Sequence, residues 1–283
     1  MTILVTGATG NIGRHVVDDL LEAGEKVRAL TRDPATAGLP DDVEVLPGDL
    51  TDPDAVAAAL EGVHAVHLFP VLDAVGEFVR LAGRAGVERV VMFTGAWAAG
   101  LTRRDRESWT FPRYRAAERL VEQGGMAWTI LRPGPFALNL RWWAGSIRAE
   151  GLVRAPHGRA ICPLVHEADI AAVAAVALTR DGHAGARYVL TGPAATSQVE
   201  QAQAVGRALG RDIRFEEITE REWRDSVQGI MRPGIAEDML RAWAETVADP
   251  AEALPVSPAV ELVTGRPARS VEQWARDHVA DFA

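Results

Sequence analysis

Short apolar runs alternate with amphipathic stretches along most of the chain. Ile3-Leu4-Val5-Thr6 reads as a buried strand. It leads into Ile12, Val16, Val17, Leu20 and Leu21, which share one face of a helix that stops at Ala23-Gly24. The same pattern predicts strands at 26–30, 43–46, 65–69, 89–93, 128–131 and 187–190, and a short one at 161–165. Helices are predicted at 53–60, where Asp52 caps and Pro53 opens the first turn, and at 72–85, 114–123 and 168–178, the last with Asp169 as its cap. Strand following helix in this rhythm means a parallel sheet with helices on both faces and right-handed crossovers. Residues 95–113 break the rhythm and read as a long loop at the carboxyl end of the fifth strand, where open α/β sheets bind ligands.

From Ser197 onward the pattern changes to that of a smaller lobe. It holds a helix (197–208), a strand (213–217) and then more helices. Thr219 and Glu222 have capping-box spacing, and Ser270 caps a last helix carrying Val271, Trp274 and Val279. The expected fold class is α/β, a doubly wound parallel sheet with a small C-terminal α+β lobe. Residues 1–190 form the sheet domain, with 133–165 partly contributing to the lobe, and 191–283 form the lobe itself.

The first strand-to-helix turn, Gly7-Ala8-Thr9-Gly10-Asn11-Ile12-Gly13, carries the strongest chemical signal. Gly7 would permit a tight turn, Gly10 would let a pyrophosphate approach the backbone, and Gly13 would let the helix pack close to the strand. Free N–H groups at the helix N-terminus then face the phosphates. This predicts a dinucleotide site with Gly7, Thr9, Gly10, Asn11 and Ile12 around the cofactor; the competing reading is a glycine turn without a ligand. Arg32 follows the second strand, where the adenosine ribose arrives. An arginine there can hold a 2′-phosphate, which favours NADPH over NADH, with NAD still possible; Asp33 beside it pulls the other way. Phe69 and Pro70 should lie beside the cofactor ribose, and Thr94 and Gly95 near the nicotinamide.

Composition narrows the setting. With 283 residues the chain has length for roughly two domains, and its 48% hydrophobic content is that of a globular protein. A formal charge of −9 offers no net positive field for nucleic acid or an anionic membrane. Cys162 is the one cysteine, so no disulfide within the chain is expected. No signal peptide and no apolar run near the ~20 residues of a membrane span are visible, so a cytoplasmic monomer or homodimer is expected. Of the 30 basic residues only Lys26 is a lysine, so any mechanism that needs a catalytic lysine must use it.

The glycine spacing, Gly-x-x-Gly-x-x-Gly, and the leading Thr6-Gly7-Ala8-Thr9-Gly10-Asn11-Ile12-Gly13 resemble the atypical short-chain dehydrogenase/reductases, most of all their NmrA-like branch. Thr129-Ile130-Leu131-Arg132-Pro133-Gly134-Pro135-Phe136 is similar to that branch's strand-six motif, and Asn139 falls where it often has asparagine. His166 to Ala171 resembles its Asp-Ile-Ala segment, and Thr264 to Arg269 followed by Trp274 its C-terminal signature. The resemblance implies cofactor contacts from Asp49, Leu50 and Pro133, with a plain turn aspartate as the other reading of Asp49.

The resemblance also makes Tyr114 the candidate proton donor, with Thr94 beside it. Most short-chain dehydrogenases carry a lysine four residues after that tyrosine, whereas this chain has Glu118, a carboxylate that would raise the phenol pKa. Hydride transfer without a protein acid suits acceptors that are already electrophilic, such as quinones, cationic dyes and imines. Trp97, Phe136, Trp142 and Trp143, with Asn139, suggest an aromatic substrate wall, or else packing between lobes. His157 and His166, nine positions apart, form no cluster, and no spacing suggests a metal. The leading expectation is an NADPH-dependent reductase of a small conjugated acceptor. The alternatives are a cofactor-sensing regulator without turnover and a biosynthetic enzyme using the pocket for non-redox chemistry.

Overall fold

The computed structural model describes residues 1–229, 231 and 233–282. In chain order the elements of the sheet domain are β1 (Thr2–Thr6), α1 (Asn11–Glu22), β2 (Lys26–Thr31), β3 (Glu44–Pro47), α2 (Pro53–Ala59), β4 (Ala65–Leu68), α3 (Val75–Ala85), β5 (Arg89–Phe93), α4 (Arg103–Glu107), α5 (Thr110–Glu122) and β6 (Ala127–Pro133). There follow α6 (Ala144–Glu150), β7 (Leu152–Ala155), β8 (Ile161–Cys162), α7 (Glu167–Thr179) and β9 (Ala186–Leu190). The rest comprises β10 (Thr196–Ser197), α8 (Gln198–Leu209), β11 (Arg214–Glu217), α9 (Glu220–Ser226), α10 (Pro233–Ala248), α11 (Ala259–Thr264), α12 (Val271–Asp277) and α13 (Val279–Phe282).

Seven strands form one sheet in the order β3-β2-β1-β4-β5-β6-β9, and every pairing in it is parallel. The chain winds outward from β1 to β3, then crosses back and winds the other way from β4. The switch point therefore lies between the carboxyl ends of β1 and β4, where a crevice opens in this class of sheet. Thr6 laces the two ends together: its hydroxyl accepts from the Phe69 N–H at 2.8 Å and donates to the His67 carbonyl at 3.1 Å.

Strands buried on both faces read as largely apolar runs, and β1, β4 and β5 do so apart from Thr2, Thr6, His67 and Arg89. One face packs α1 and α7 through Val16, Val17, Ile170 and Val173, and the other packs α2, α3 and α5 through Val56, Phe78 and Val121. Helix α7 is apolar all round because it is sandwiched between the sheet, α1 and α11. Residues 259–264, assigned to the lobe from sequence, return to this face, with Ala259, Val260 and Val263 in the sheet domain's core.

Two local expectations change. The segment 95–113 is not a long loop: it holds a 3-10 turn at Ala96–Ala99, then α4 with a Thr102/Asp105 capping box, and α5 starts at Thr110. Asp169 does not cap α7. The His166 ring does so, accepting from the Ala168 N–H at 3.1 Å, while Asp169 lies inside the first turn and pairs with Arg269. The lobe's two small sheets, β7 with β11 and β8 with β10, each join one strand from before α7 to one from after it. The expected caps at Asp52, Thr219 and Ser270 are in place, and Ser197, read from sequence as the first helical residue, is the cap of α8.

Candidate functional site

The three glycines of the first turn occupy three different environments. Gly7 has φ +68°, in the left-handed region, and a Cβ there would lie 3.1 Å from Phe69 Cβ. A Cβ on Gly13 would lie 2.1 Å from the Gly7 carbonyl oxygen, so α1 comes this close to β1 only because residue 13 is glycine. Gly10 is ordinary extended backbone (φ −80°, ψ 170°), and a Cβ there would have only the Gly7 oxygen within 4 Å, at 3.2 Å. It borders open space. No side chain caps α1, so its first N–H groups point into that space with the positive end of the helix dipole.

The space is a cavity of about 710 Å³, within the range of ligand pockets. It runs from the glycine turn across the switch point to the ends of β5 and β6. Gly7, Thr9, Gly10, Asn11 and Ile12 line it, as do Arg32, Asp49, Leu50, Phe69 and Thr94. A cradle that a side chain at residue 10 would fill, with bare helical N–H groups at its base, fits a dinucleotide pyrophosphate. Arg32 is 85% exposed and 4.0 Å from the Asp49 carboxylate, leaving its guanidinium free to turn. The Asp33 carboxylate faces the next turn instead, accepting from the Ala35 N–H at 3.2 Å and the Thr36 hydroxyl at 2.7 Å. Asp49 both lines the cavity and holds its own turn, accepting from the Thr51 N–H and hydroxyl, which keep its carboxyl below the usual range.

Pro70, Gly95 and Pro133 do not line the cavity. Pro133 is buried at the end of β6, and Gly95 serves packing, since a Cβ there would lie 2.4 Å from the Trp97 ring. Of the aromatic wall, Trp97 and Phe136 line the cavity. Phe69, Phe93 and Phe136 form a ladder across the ends of β4, β5 and β6, with centroids 5.2 and 6.2 Å apart. Trp143 instead packs against the lobe's core, Trp142 is half exposed away from the cavity, and Asn139 does not reach it.

Tyr114 lines the cavity and meets the edge of Trp97, with centroids 5.7 Å apart. Burial pushes its phenol pKa up, against the lowering charge of Arg113. The direction is the expected one, but Glu118 is not the cause, because its charge is occupied elsewhere. Glu118 is fully buried and takes a two-pronged bond from Arg132, at 2.9 and 2.6 Å. It also accepts from Arg115 and, at 3.0 Å, from the Thr94 hydroxyl. Glu118 thus anchors α5 to β6 and orients Thr94.

Glu167 was not singled out from sequence, yet it lines the cavity at the start of α7. Its carboxylate accepts from His278 Nε2 at 2.6 Å and from Trp274 Nε1 at 3.1 Å. His278 Nδ1 lies 2.7 Å from Asp281, and the His278 ring stacks on Trp274 at 4.4 Å. Nδ1 of His166 completes a cluster in which ligand atoms of His166, Glu167 and His278 lie within 4.8 Å of one another. Each of these atoms already has a hydrogen-bond partner in the protein. The sequence signal was weak: Glu167 and His278 are 111 positions apart.

A doubly wound parallel sheet with a three-glycine turn and an uncapped helix opening on its switch-point cavity defines a dinucleotide-binding protein. The chain belongs to the NAD(P)H-binding family, whose model matches residues 7–181, more than half its length. It is 38% identical to a (4-alkanoyl-5-oxo-2,5-dihydrofuran-3-yl)methyl phosphate reductase of Streptomyces griseus, over 99% of both chains. It is 37% identical to an NAD(P)H azoreductase of Xenophilus azovorans, again over 99% of both. Among solved structures it is similar to the NADPH-dependent quinone oxidoreductase of Escherichia coli in complex with NADPH. The TM-score is 0.80 at 21% identity, covering 97% of this chain and 99% of that one. No helix among the described residues is long and apolar enough to cross a membrane.

Proposed function

We propose that the protein is an NADPH-dependent reductase of small conjugated acceptors such as quinones, azo compounds or electron-poor carbonyls. One observation carries the reading. A single cavity begins at the glycine turn and ends among Phe93, Phe136, Trp97 and Tyr114, so cofactor and a flat acceptor share one space. In this reading Gly7 to Ile12 hold the pyrophosphate, Arg32 the 2′-phosphate, Asp49 and Leu50 the adenine side, and Phe69 and Thr94 the nicotinamide side. The bound cofactor supplies the hydride. The protein supplies orientation and an apolar, water-poor wall. The names of the two full-length relatives support the class: one acts on a furanone phosphate, the other on azo compounds. The sheet domain (1–190, with 259–264 returning to it) carries the cofactor and the rest of 191–283 forms the lobe that borders the acceptor end, in a cytoplasmic monomer or homodimer.

One observation favours a second reading, a cofactor-sensing protein without turnover: Glu118, four residues after Tyr114, is fully engaged with Arg132, Arg115 and Thr94, and in this reading no lysine partners the tyrosine. NADPH oxidation followed with a quinone, an azo compound and a cationic triphenylmethane dye separates the two. Acceptor-dependent oxidation supports the reductase. Tight NADPH binding with no oxidation by any acceptor supports the sensor.

A further inference from the structure

We infer that Glu167, lining the cavity, delivers the proton that accompanies hydride transfer, and that His278 behind it positions and reloads it. The inference rests on the reductase reading. Five features of the geometry support it. Glu167 is the one carboxylate among the cavity's described lining residues that lies at its lobe side, away from the adenosine end marked by Arg32 and Asp49. It is buried, so its charge requires a partner, and His278 provides one at 2.6 Å. His278 lies between two carboxylates, Glu167 on Nε2 and Asp281 on Nδ1, and only a doubly protonated ring donates to both. Trp274 stacks on that ring and also donates to Glu167, which fixes both orientations. Finally the path reaches solvent, since the side chains of His278 and Asp281 are 19% and 27% exposed and Asp281 meets the surface Arg141 at 3.1 Å.

The charges around the couple agree. Burial works against the His278 cation, but its bonds to Glu167 and Asp281 and their charges raise it above the ordinary histidine value. Burial also works against the Glu167 carboxylate, and the His278 bond outweighs this, with smaller help from its own backbone and from the His166 and His278 charges. His166, the other ring nearby at 6.1 Å, is pushed down by burial against the pull of Glu167, Asp169 and Asp277, with Arg269 adding to the lowering. Of the two rings, His278 is the one whose bonds favour the cation.

The acceptor, an N=N or C=O bond, gains a hydride at one atom from the reduced nicotinamide, which becomes oxidised. Glu167 rests as the carboxylate: as the electron pair is released onto the acceptor's other atom, it takes the Nε2 proton of His278 and passes that proton to the atom, returning to the carboxylate while the ring regains a proton from solvent. A cationic triphenylmethane dye needs only the hydride, because its central carbon becomes neutral with no proton added.

That difference is the test. Wild type and Glu167→Gln are compared for kcat/KM on an azo compound and on a cationic triphenylmethane dye, with the NADPH dissociation constant measured alongside. Losing a general acid costs about 10²–10⁴ in rate. Glu167→Gln is expected to lose about 100-fold or more on the azo compound and to stay within about threefold on the dye and on NADPH binding. The wild-type azo rate is expected to fall as pH rises through the His278 pKa, and the variant to lose that limb. His278→Gln, a second variant in case the first does not fold, is expected to show the same selectivity with a smaller loss. A ring titration by nuclear magnetic resonance on the cofactor-free protein should place His278 above ordinary histidine, and lower in Glu167→Gln. Equal losses on both acceptors, no loss on either, or a His278 that titrates below ordinary histidine overturns the inference and leaves the reductase reading intact. A wild type that reduces neither acceptor overturns both.

Discussion

Arg32 is nearly bare to solvent and Asp33 beside it is engaged in its own turn, so in the proposed reading cofactor choice at the ribose falls to one guanidinium. A charge-assisted hydrogen bond contributes about 1.5–3 kcal/mol, roughly 10- to 150-fold in affinity. Arg32→Ala is expected to weaken NADPH by a factor in that range and leave NADH nearly unchanged, since NADH lacks the phosphate. Two dissociation constants for each of two proteins decide it, and equal weakening of both cofactors would move the recognition elsewhere. At this scale the sequence was informative where a residue's role is local. The turn at Gly7, the close approach at Gly13 and the caps at Asp52 and Ser270 all depend on neighbours a few positions away. The packing of Gly95 was not legible in this way, because it depends on where the Trp97 ring lies.

Among the elements, α5 and β6 are joined by a buried ion pair that the spacing of the chain does not reveal. Glu118 reads from sequence as a helix carboxylate beside Tyr114. In the fold it lies against Arg132, fourteen positions on, which the resemblance had marked only as part of a strand motif. Removing one partner of a buried pair leaves an uncompensated charge and costs about 3–5 kcal/mol. Arg132→Met should lose that much in urea unfolding, with Arg115 compensating only in part. Changing Glu118 to leucine in the same chain should recover most of the loss, because Arg115 keeps Glu122 at 3.7 Å. A loss below about 1 kcal/mol would mean the pair is dispensable. The strand and helix rhythm was legible because each element's apolar face repeats within it. The β7–β11 and β8–β10 pairings were not, because they join segments separated by α7, and short strands carry little periodicity of their own.

On the scale of the whole molecule, β4 carries a histidine into the sheet's core. His67 is fully buried, and neither of its ring nitrogens has a hydrogen-bond partner among the described residues. Burial pushes its pKa from 6.5 to about 4. The unfolded chain therefore takes up this proton before the folded one does, and stability falls as pH drops from about 6.5 to about 4. The full loss is on the order of 3 kcal/mol, at 1.36 kcal/mol per unit. Denaturant unfolding across that range should show the decline, and His67→Leu should remove this share of it. An unchanged slope in the variant would assign the acid sensitivity to other groups.

The proposed reductase depends on the switch-point cavity as its cofactor site, and Gly10 tests that with least disturbance. Its backbone is one that any residue adopts, and a Cβ there would have only the Gly7 carbonyl oxygen within 4 Å, at 3.2 Å, a tight contact relieved by a shift of a few tenths of an ångström. Gly10→Val should therefore fold with a near-normal melting temperature while a branched side chain occupies the pyrophosphate cradle. Titration of wild type and variant with NADPH, followed by cofactor fluorescence, is expected to show binding weakened more than about tenfold, about 1.4 kcal/mol. A folded variant that binds NADPH within about threefold of wild type, less than about 0.7 kcal/mol, would contradict the site.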